Sequence, residues 1–260
     1  GKLTWTIGLF ATPAMAKEAN LTLRDSWRQI IKACFLNYSD PVKKWQRIQK
    51  KSNQIKNKLN KLGIVKINIK AKDTDLNINI GQDRQWLGGG GRNIPSFEIF
   101  TSPDWRGTNG YIFFDQPLYR QGNLIKNIKL TFKDGLVVDA QAGYGEKFLK
   151  QLIKVENSDK IGEFSLTDKR FSKINKFMAE TLYDENFGGE FGNTHIALGS
   201  AYKDTYSQNL SKLKPKDWDN LGFNDSAVHT DIIATSDRIV TATLKNGKTI
   251  ILYKSGKFQI

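Results

Sequence analysis

A chain of 260 residues, 39% hydrophobic and 11% aromatic, holds enough apolar material for a sizeable buried core, which excludes a disordered or fibrous protein. No stretch approaches the roughly 20 uninterrupted apolar residues of a membrane helix, and Gly1–Trp5 carries no charged leader with an apolar run, so the chain reads as the interior of a longer protein. Cys34 is the only cysteine, which excludes an internal disulfide and points to a reducing compartment, the cytoplasm by default.

In chain order, Thr22-Leu23-Arg24-Asp25 places a capping residue three before an acid and starts a helix towards Phe35, burying Trp27, Ile30, Ile31 and Cys34. After the polar break Asn37 to Asp40, Pro41 opens a second helix that stops near Gly63. Val42, Trp45, Ile48, Ile55, Leu59 and Leu62 recur along it at helical spacing. Between positions 41 and 72 there are eleven Lys or Arg and no acid, so much of the formal charge of +14 is local. On an amphipathic helix such a run reads as a solvated lysine face that can speed encounter with acidic partners. Aromatics on the basic face and nucleic-acid recognition motifs are both missing, so nucleic acid is not the expected partner.

Ile64 to Ile69 and Leu76 to Ile80 alternate apolar and polar residues and read as half-buried strands. Gly81 and Asp83 mark a turn, and Gly88 to Gly91 form a flexible glycine run. Further strands are expected over Glu98 to Thr101, Gly110 to Phe114, Ile125 to Phe132, Leu136 to Ala140 and Gly162 to Leu166, with a Lys133-Asp134-Gly135 turn. Helices are expected over Phe148 to Val155 and Phe171 to Leu182, and a closing hairpin over Ile239 to Leu244 and Thr249 to Tyr253 around Asn246-Gly247. The fold class is α+β: N-terminal helices lead into a strand-rich domain with a mixed or antiparallel sheet.

The chemistry gathers around the two histidines. His229 and Asp231 stand two apart, so on a strand both project from one face and form half of a metal site; a hydrogen-bonded structural pair is the alternative. His195 has the same alternative as a satisfied core histidine. Glu98 and Glu163 sit among apolar neighbours, where a carboxylate is costly unless paired, protonated or metal-bound, although exposure at a strand end also explains each one singly. Asp184-Glu185-Asn186 follows the expected helix and could be its terminus.

Together, the runs Asn93 to Thr101, Gly162-Glu163-Phe164, Thr181 to Asn186, His195 to Gly199 with Tyr202, and Asn224 to Asp231 resemble, in order, the thermophilic aminopeptidase family of the aminopeptidase S and aminopeptidase T type. Trp5, Ala11-Thr12-Pro13-Ala14 and Asp40-Pro41-Val42 extend the resemblance over nearly the whole chain. It implies a homodimeric metallopeptidase that removes N-terminal residues from peptides with two divalent ions, zinc, cobalt or manganese. The implied ligands are Glu98, Glu163, Glu185, His195, His229 and Asp231, with Glu163 bridging and catalytic and Tyr202 catalytic close to the metals. Glu190 competes with Glu185, because Phe187 to Thr194 intervene between the Asp184-Glu185-Asn186 run and His195. Residues 1–85 would be the remainder of a longer N-terminal region and 86–260 the metal-binding catalytic domain. The two contrasting readings are a basic nucleic-acid-binding domain on a metallopeptidase fold and an inactive metal-stabilised remnant.

Overall fold

The computed structural model describes residues 4–260, so the first three residues of the Gly1–Trp5 segment lie outside it. Helix α1 (Pro13–Glu18) is capped by Thr12. Helix α2 (Leu23–Ala33) begins as its cap signal predicts: the Thr22 hydroxyl accepts the Asp25 N–H at 3.1 Å and donates to the Asp25 carboxylate at 2.8 Å. Its inner face differs from the expectation, since Ile31 is 37% exposed while Ser26, Gln29, Ile30 and Ala33 are buried. The Gln29 amide sets that rotation, donating to Asn175 Oδ1 at 2.9 Å and accepting the Asn175 N–H at 3.2 Å.

Helix α3 (Pro41–Leu62) is capped by Asp40, whose carboxylate accepts the Lys43 N–H at 2.8 Å, and ends at Gly63 in the left-handed region with φ 62°. Ile48, Ser52, Ile55 and Leu59 form its buried stripe. Trp45 joins them by stacking on Phe97 at 5.2 Å between ring centroids. Val42 is not part of the core; it lies on the first turn, 66% exposed.

Two antiparallel sheets follow. The larger runs in the order Leu136–Tyr144, Asn123–Lys133, Asn109–Phe114, Thr74–Asn79, Ile64–Ala71, Ile239–Leu244, Thr249–Lys254, Lys257–Phe258, with Leu118–Arg120 also on Asn123–Lys133. It therefore draws strands from both 1–85 and 86–260. The turn between its first two strands has positive φ at Asp134 (49°) and Gly135 (86°), the backbone that a two-residue hairpin requires. The smaller sheet runs His229–Ala234, Asn193–Gly199, Ile161–Thr167, Glu98–Thr101, Leu87–Gly88. Among the described residues the only parallel pairing joins Ile7–Gly8 to Asn93–Ile94, so the architecture is α+β with antiparallel sheets.

One apolar core holds both sheets and α3 together. Ile67, Ile78 and Leu130 of the larger sheet share it with Phe164, Ile196 and Ile232 from the back of the smaller one. The smaller sheet thus turns an apolar face inward and leaves its other face for polar chemistry.

The expected helix over Phe171 to Leu182 does not form. Helix α4 (Glu146–Leu152) is followed by the strand Ile161–Thr167, and between that strand and the strand Asn193–Gly199 only the short α5 (Thr181–Asp184) is helical. The intervening backbone bonds to side chains instead: the Ile174 N–H donates to Ser172 Oγ at 3.2 Å, and the Met178 and Glu180 N–H groups donate to the Asp184 carboxylate at 2.7 and 3.1 Å. Side chains that offer a segment such partners compete with the helical ladder. Ala179 takes φ 53°, outside any helix.

Candidate metal centre

Strand register gathers the polar face. Ser165 lies opposite both Phe100 and His195, Thr167 opposite both Glu98 and Asn193, and Ala197 opposite both Glu163 and Asp231. Directly paired residues share a face, so four strands deliver Glu98, Glu163, His195, His229 and Asp231 to one patch. The small side chains of Ser165 and Ala197 stand between them. Sequence spacing foresees only the His229–Asp231 pair; the rest depends on register between distant segments.

The side chains converge closely. His195 Nε2 lies 3.3 Å from Glu98 Oε2 and 3.2 Å from Glu163 Oε1. His229 Nε2 lies 3.4 Å from Glu163 Oε2 and 3.3 Å from Asp231 Oδ1. Two triads result whose donor atoms lie within 4.8 Å of one another, Glu98–Glu163–His195 and Glu163–His229–Asp231, and they share Glu163, one oxygen to each histidine. His195 is fully buried, whereas the His229 side chain keeps 21% exposure, so the second triad is the open one.

Both imidazoles are oriented from behind. His229 Nδ1 donates to the Ser200 carbonyl at 2.8 Å. Asn193 donates from Nδ2 to the carbonyls of Glu185 and Phe187 at 2.9 and 2.7 Å, which leaves its Oδ1 to accept from His195 Nδ1 at 3.4 Å. In each ring Nε2 is then the atom facing the carboxylates, the arrangement by which outer partners fix a ligand's tautomer. Asn186 links the remaining acid to the site: it accepts the Phe97 N–H at 2.5 Å and donates to Glu185 Oε1 at 3.2 Å.

Of the two rivals, Glu185 is buried at the end of α5, where its charge acts on Glu98 and Asp231, while Glu190 is exposed in the following loop. Tyr202 lies beyond the strand end, its ring 4.8 Å from that of His229 and 44% exposed. Asn193, Asn186 and Ser165, which donates to Glu98 at 3.4 Å, carry no sequence expectation. Asn193-x-His195 has the same two-residue spacing as His229-x-Asp231 and is the signal that points to it.

The electrostatics is that of a crowded acidic pocket. Burial raises Glu98, with His195 opposing and Glu163 adding to the rise. Burial, then repulsion from Glu98 and Asp231, holds Glu185 well above the usual range. For His229 burial disfavours the charged form, but Asp231 and Glu163 outweigh it and push the imidazole up to about 11. His195 is likewise raised against its own burial by Glu163 and Glu98.

A family model described as thermophilic metalloprotease (M29) matches residues 1–258. The chain belongs to that family. It is 29% identical to aminopeptidase PepS of Streptococcus thermophilus over 100% of its own length and 66% of that protein's. It is 30% identical to aminopeptidase 2 of Geobacillus stearothermophilus, covering 98% of this chain and 65% of the relative. The solved structure of wild-type AmpT from Thermus thermophilus superposes with a TM-score of 0.84 at 26% identity, over 98% of this chain and 65% of the other. The chain therefore spans about 66% of the length of the curated relatives that it matches. A 2,5-dihydroxypyridine dioxygenase of Pseudomonas putida shares the fold alone, at 11% identity and a TM-score of 0.54.

Proposed function

We propose that this member of the family carries the catalytic site of a two-metal aminopeptidase. Glu98, Glu163 and His195 would hold one divalent ion, and Glu163, His229 and Asp231 the other. The observation that supports this most directly is the Glu163 carboxylate, which offers one oxygen to each triad. The residues fit such ions in charge as well: four buried carboxylates repel one another without a cation, and with two neutral imidazoles they would balance two divalent charges. A mixed imidazole and carboxylate donor set suits zinc, cobalt or manganese. Bound there, the ions would polarise a scissile carbonyl and lower the pKa of water towards about 7.

The chain's own residues supply the rest. Glu185, buried against the cluster, is proposed as a further ligand, and a carboxyl in that place can also carry a proton from the attacking water to the leaving amine. Tyr202, on the open side beside His229, would donate its hydroxyl hydrogen to the carbonyl oxygen as negative charge develops there. Burial, reinforced by the charge of Glu163 and Asp231, pushes that phenol above its ordinary range, so it keeps its proton for the task. Substrate would enter from this side, since His195 and Glu98 close the other. The relatives named as aminopeptidases support peptides with a free N-terminus as substrates. A homodimer in the cytoplasm completes the proposal; one buried cysteine suits a reducing compartment.

Metal analysis together with hydrolysis of leucine 4-nitroanilide tests the reading. Two ions per chain are expected, with turnover lost to a chelator and restored by metal. Glu163→Gln should retain at most one ion and lose nearly all turnover; full turnover in that variant would overturn the shared-carboxylate site.

A further inference from the structure

Helix α3 is polar on both sides of its buried stripe, and the two sides differ. On one, Gln49, Lys56 and Asn60 donate to the carbonyls of Gly89, Gly88 and Trp86, and so pin the glycine run to the helix. On the other, Lys44, Arg47, Lys51, Lys58 and Lys61 repeat at three- and four-residue spacing, with Gln54 in the remaining place. Each stands one position before a residue of the inward-facing stripe, so the cations form a straight seam about 25 Å long at ~1.5 Å per residue. Among the described residues none of the five lies within ion-pair distance of a carboxylate.

The seam borders an open groove of about 1030 Å³ that none of the metal-centre residues lines. Ile48 and Ile55 reach it from α3, and Arg170, Phe171 and Ile260 line it from other parts of the chain. Arg170 is already engaged by Asp168 and Lys44 lies over the rings of Phe35 and Tyr38, so the free charge of the seam lies on Arg47, Lys51, Lys58 and Lys61. A solvated lysine face needs neither a concavity nor apolar lining. A phosphate backbone would meet the cations but leave that lining unfilled, and Phe171, the one aromatic lining the groove, is buried and offers no ring face for a base to stack on. A polypeptide with acidic residues flanking apolar ones satisfies both features, its carboxylates on the seam and its apolar side chains against Ile260 and the exposed edges of Ile48, Ile55 and Phe171.

We infer that this groove is a docking site for an acidic, apolar-punctuated polypeptide segment. The inference stands independently of the peptidase reading, and the test keeps them apart by using chelator-treated protein and a probe with no free N-terminus. The probe is a fluorescent, N-acetylated and C-amidated peptide of paired glutamates interrupted by leucine and phenylalanine. It is compared with an oligoglutamate and a single-stranded oligonucleotide of equal charge at physiological salt. The mixed peptide should bind about 10-fold more tightly than either, and Arg47→Gln/Lys51→Gln/Lys58→Gln should weaken it about 10-fold. Lys147→Gln/Lys154→Gln/Lys248→Gln, with the same charge change elsewhere, should leave binding unchanged. On unaltered protein the peptide should also shield Lys51 and Lys58, but not Lys147, from chemical acetylation. Tightest binding by the oligonucleotide, equal weakening in both triple variants, or no saturable peptide binding would overturn the inference.

Discussion

Asn193 ties His195 of the candidate metal centre to the backbone behind Glu185. Its amide accepts from His195 and donates to the carbonyls of Glu185 and Phe187, so one buried side chain orients an imidazole and closes the loop behind the α5 acid. Asn193→Ala would leave the Phe187 carbonyl and one ring N–H without partners and the Glu185 carbonyl with only the long bond from Thr167, and should cost about 1–3 kcal/mol of stability. It should also weaken metal binding by roughly 10–100-fold. Calorimetric metal titration and a denaturant melt read the two effects separately, and unaltered metal affinity would mean that His195 is held by packing alone. The protonation of the pair carries a second expectation. In metal-free protein His229 holds its proton up to about 11, against 6.5 for an unperturbed imidazole. The folded state therefore binds more protons than the unfolded state between those values, so the stabilisation is complete below pH 6.5 and is lost as pH rises towards 11. Glu98 and Glu185, also raised, act in the same direction. The melting temperature of chelated protein should fall between pH 7 and 10, and metal loading at pH 7 should release protons, measurable as buffer-dependent binding heat. Proton-neutral metal uptake would contradict this.

At the scale of elements, the caps of α3 are local devices and testable as such. Asp40→Ala removes the carboxylate that accepts the Lys43 N–H and should cost about 1 kcal/mol, while Asp40→Asn should recover most of it. An unchanged denaturation midpoint in the alanine variant would show that Pro41 and the packing of Trp45 set the helix start alone. Such ends are legible in sequence because Thr22, Asp40, Pro41 and Gly63 each act within a single turn. Phe171 to Leu182 is not legible in the same way. Its apolar spacing resembles a helix, but the partners that hold it, Gln29 and Asp184, belong to another element and to the residues just beyond it. Face sharing by His229 and Asp231 is likewise local and visible. The meeting of Glu98, Glu163 and His195 depends on register between strands far apart in the chain, which no local period encodes; order along the family resemblance groups them, and register places them. Asn193 is missed because asparagine supplies an outer hydrogen bond rather than a metal donor.

For the whole molecule, the question is whether the metal centre rests on a separable domain. The sequence reading divides the chain near residue 85, after the N-terminal helices and the first two strands. The larger sheet crosses that point: Ile64–Ala71 pairs with Ile239–Leu244, and Thr74–Asn79 with Asn109–Phe114. Ile55 and Leu59 of α3 lie in the same apolar core as Phe164 and Ile196 behind the candidate metal centre. Removing residues 1–85 would strip strands from the middle of a sheet and expose unpaired backbone groups on both sides of the gap. The two segments should therefore unfold together. Far-ultraviolet circular dichroism, dominated by the helices and the larger sheet, and fluorescence of the tryptophans should give coincident transitions in metal-free protein. Metal should shift that single transition upward as a unit, because ions bound on the smaller sheet stabilise every element that shares its core. Two resolved transitions, with only the upper one responding to metal, would instead establish residues 86–260 as an independent domain carrying the site.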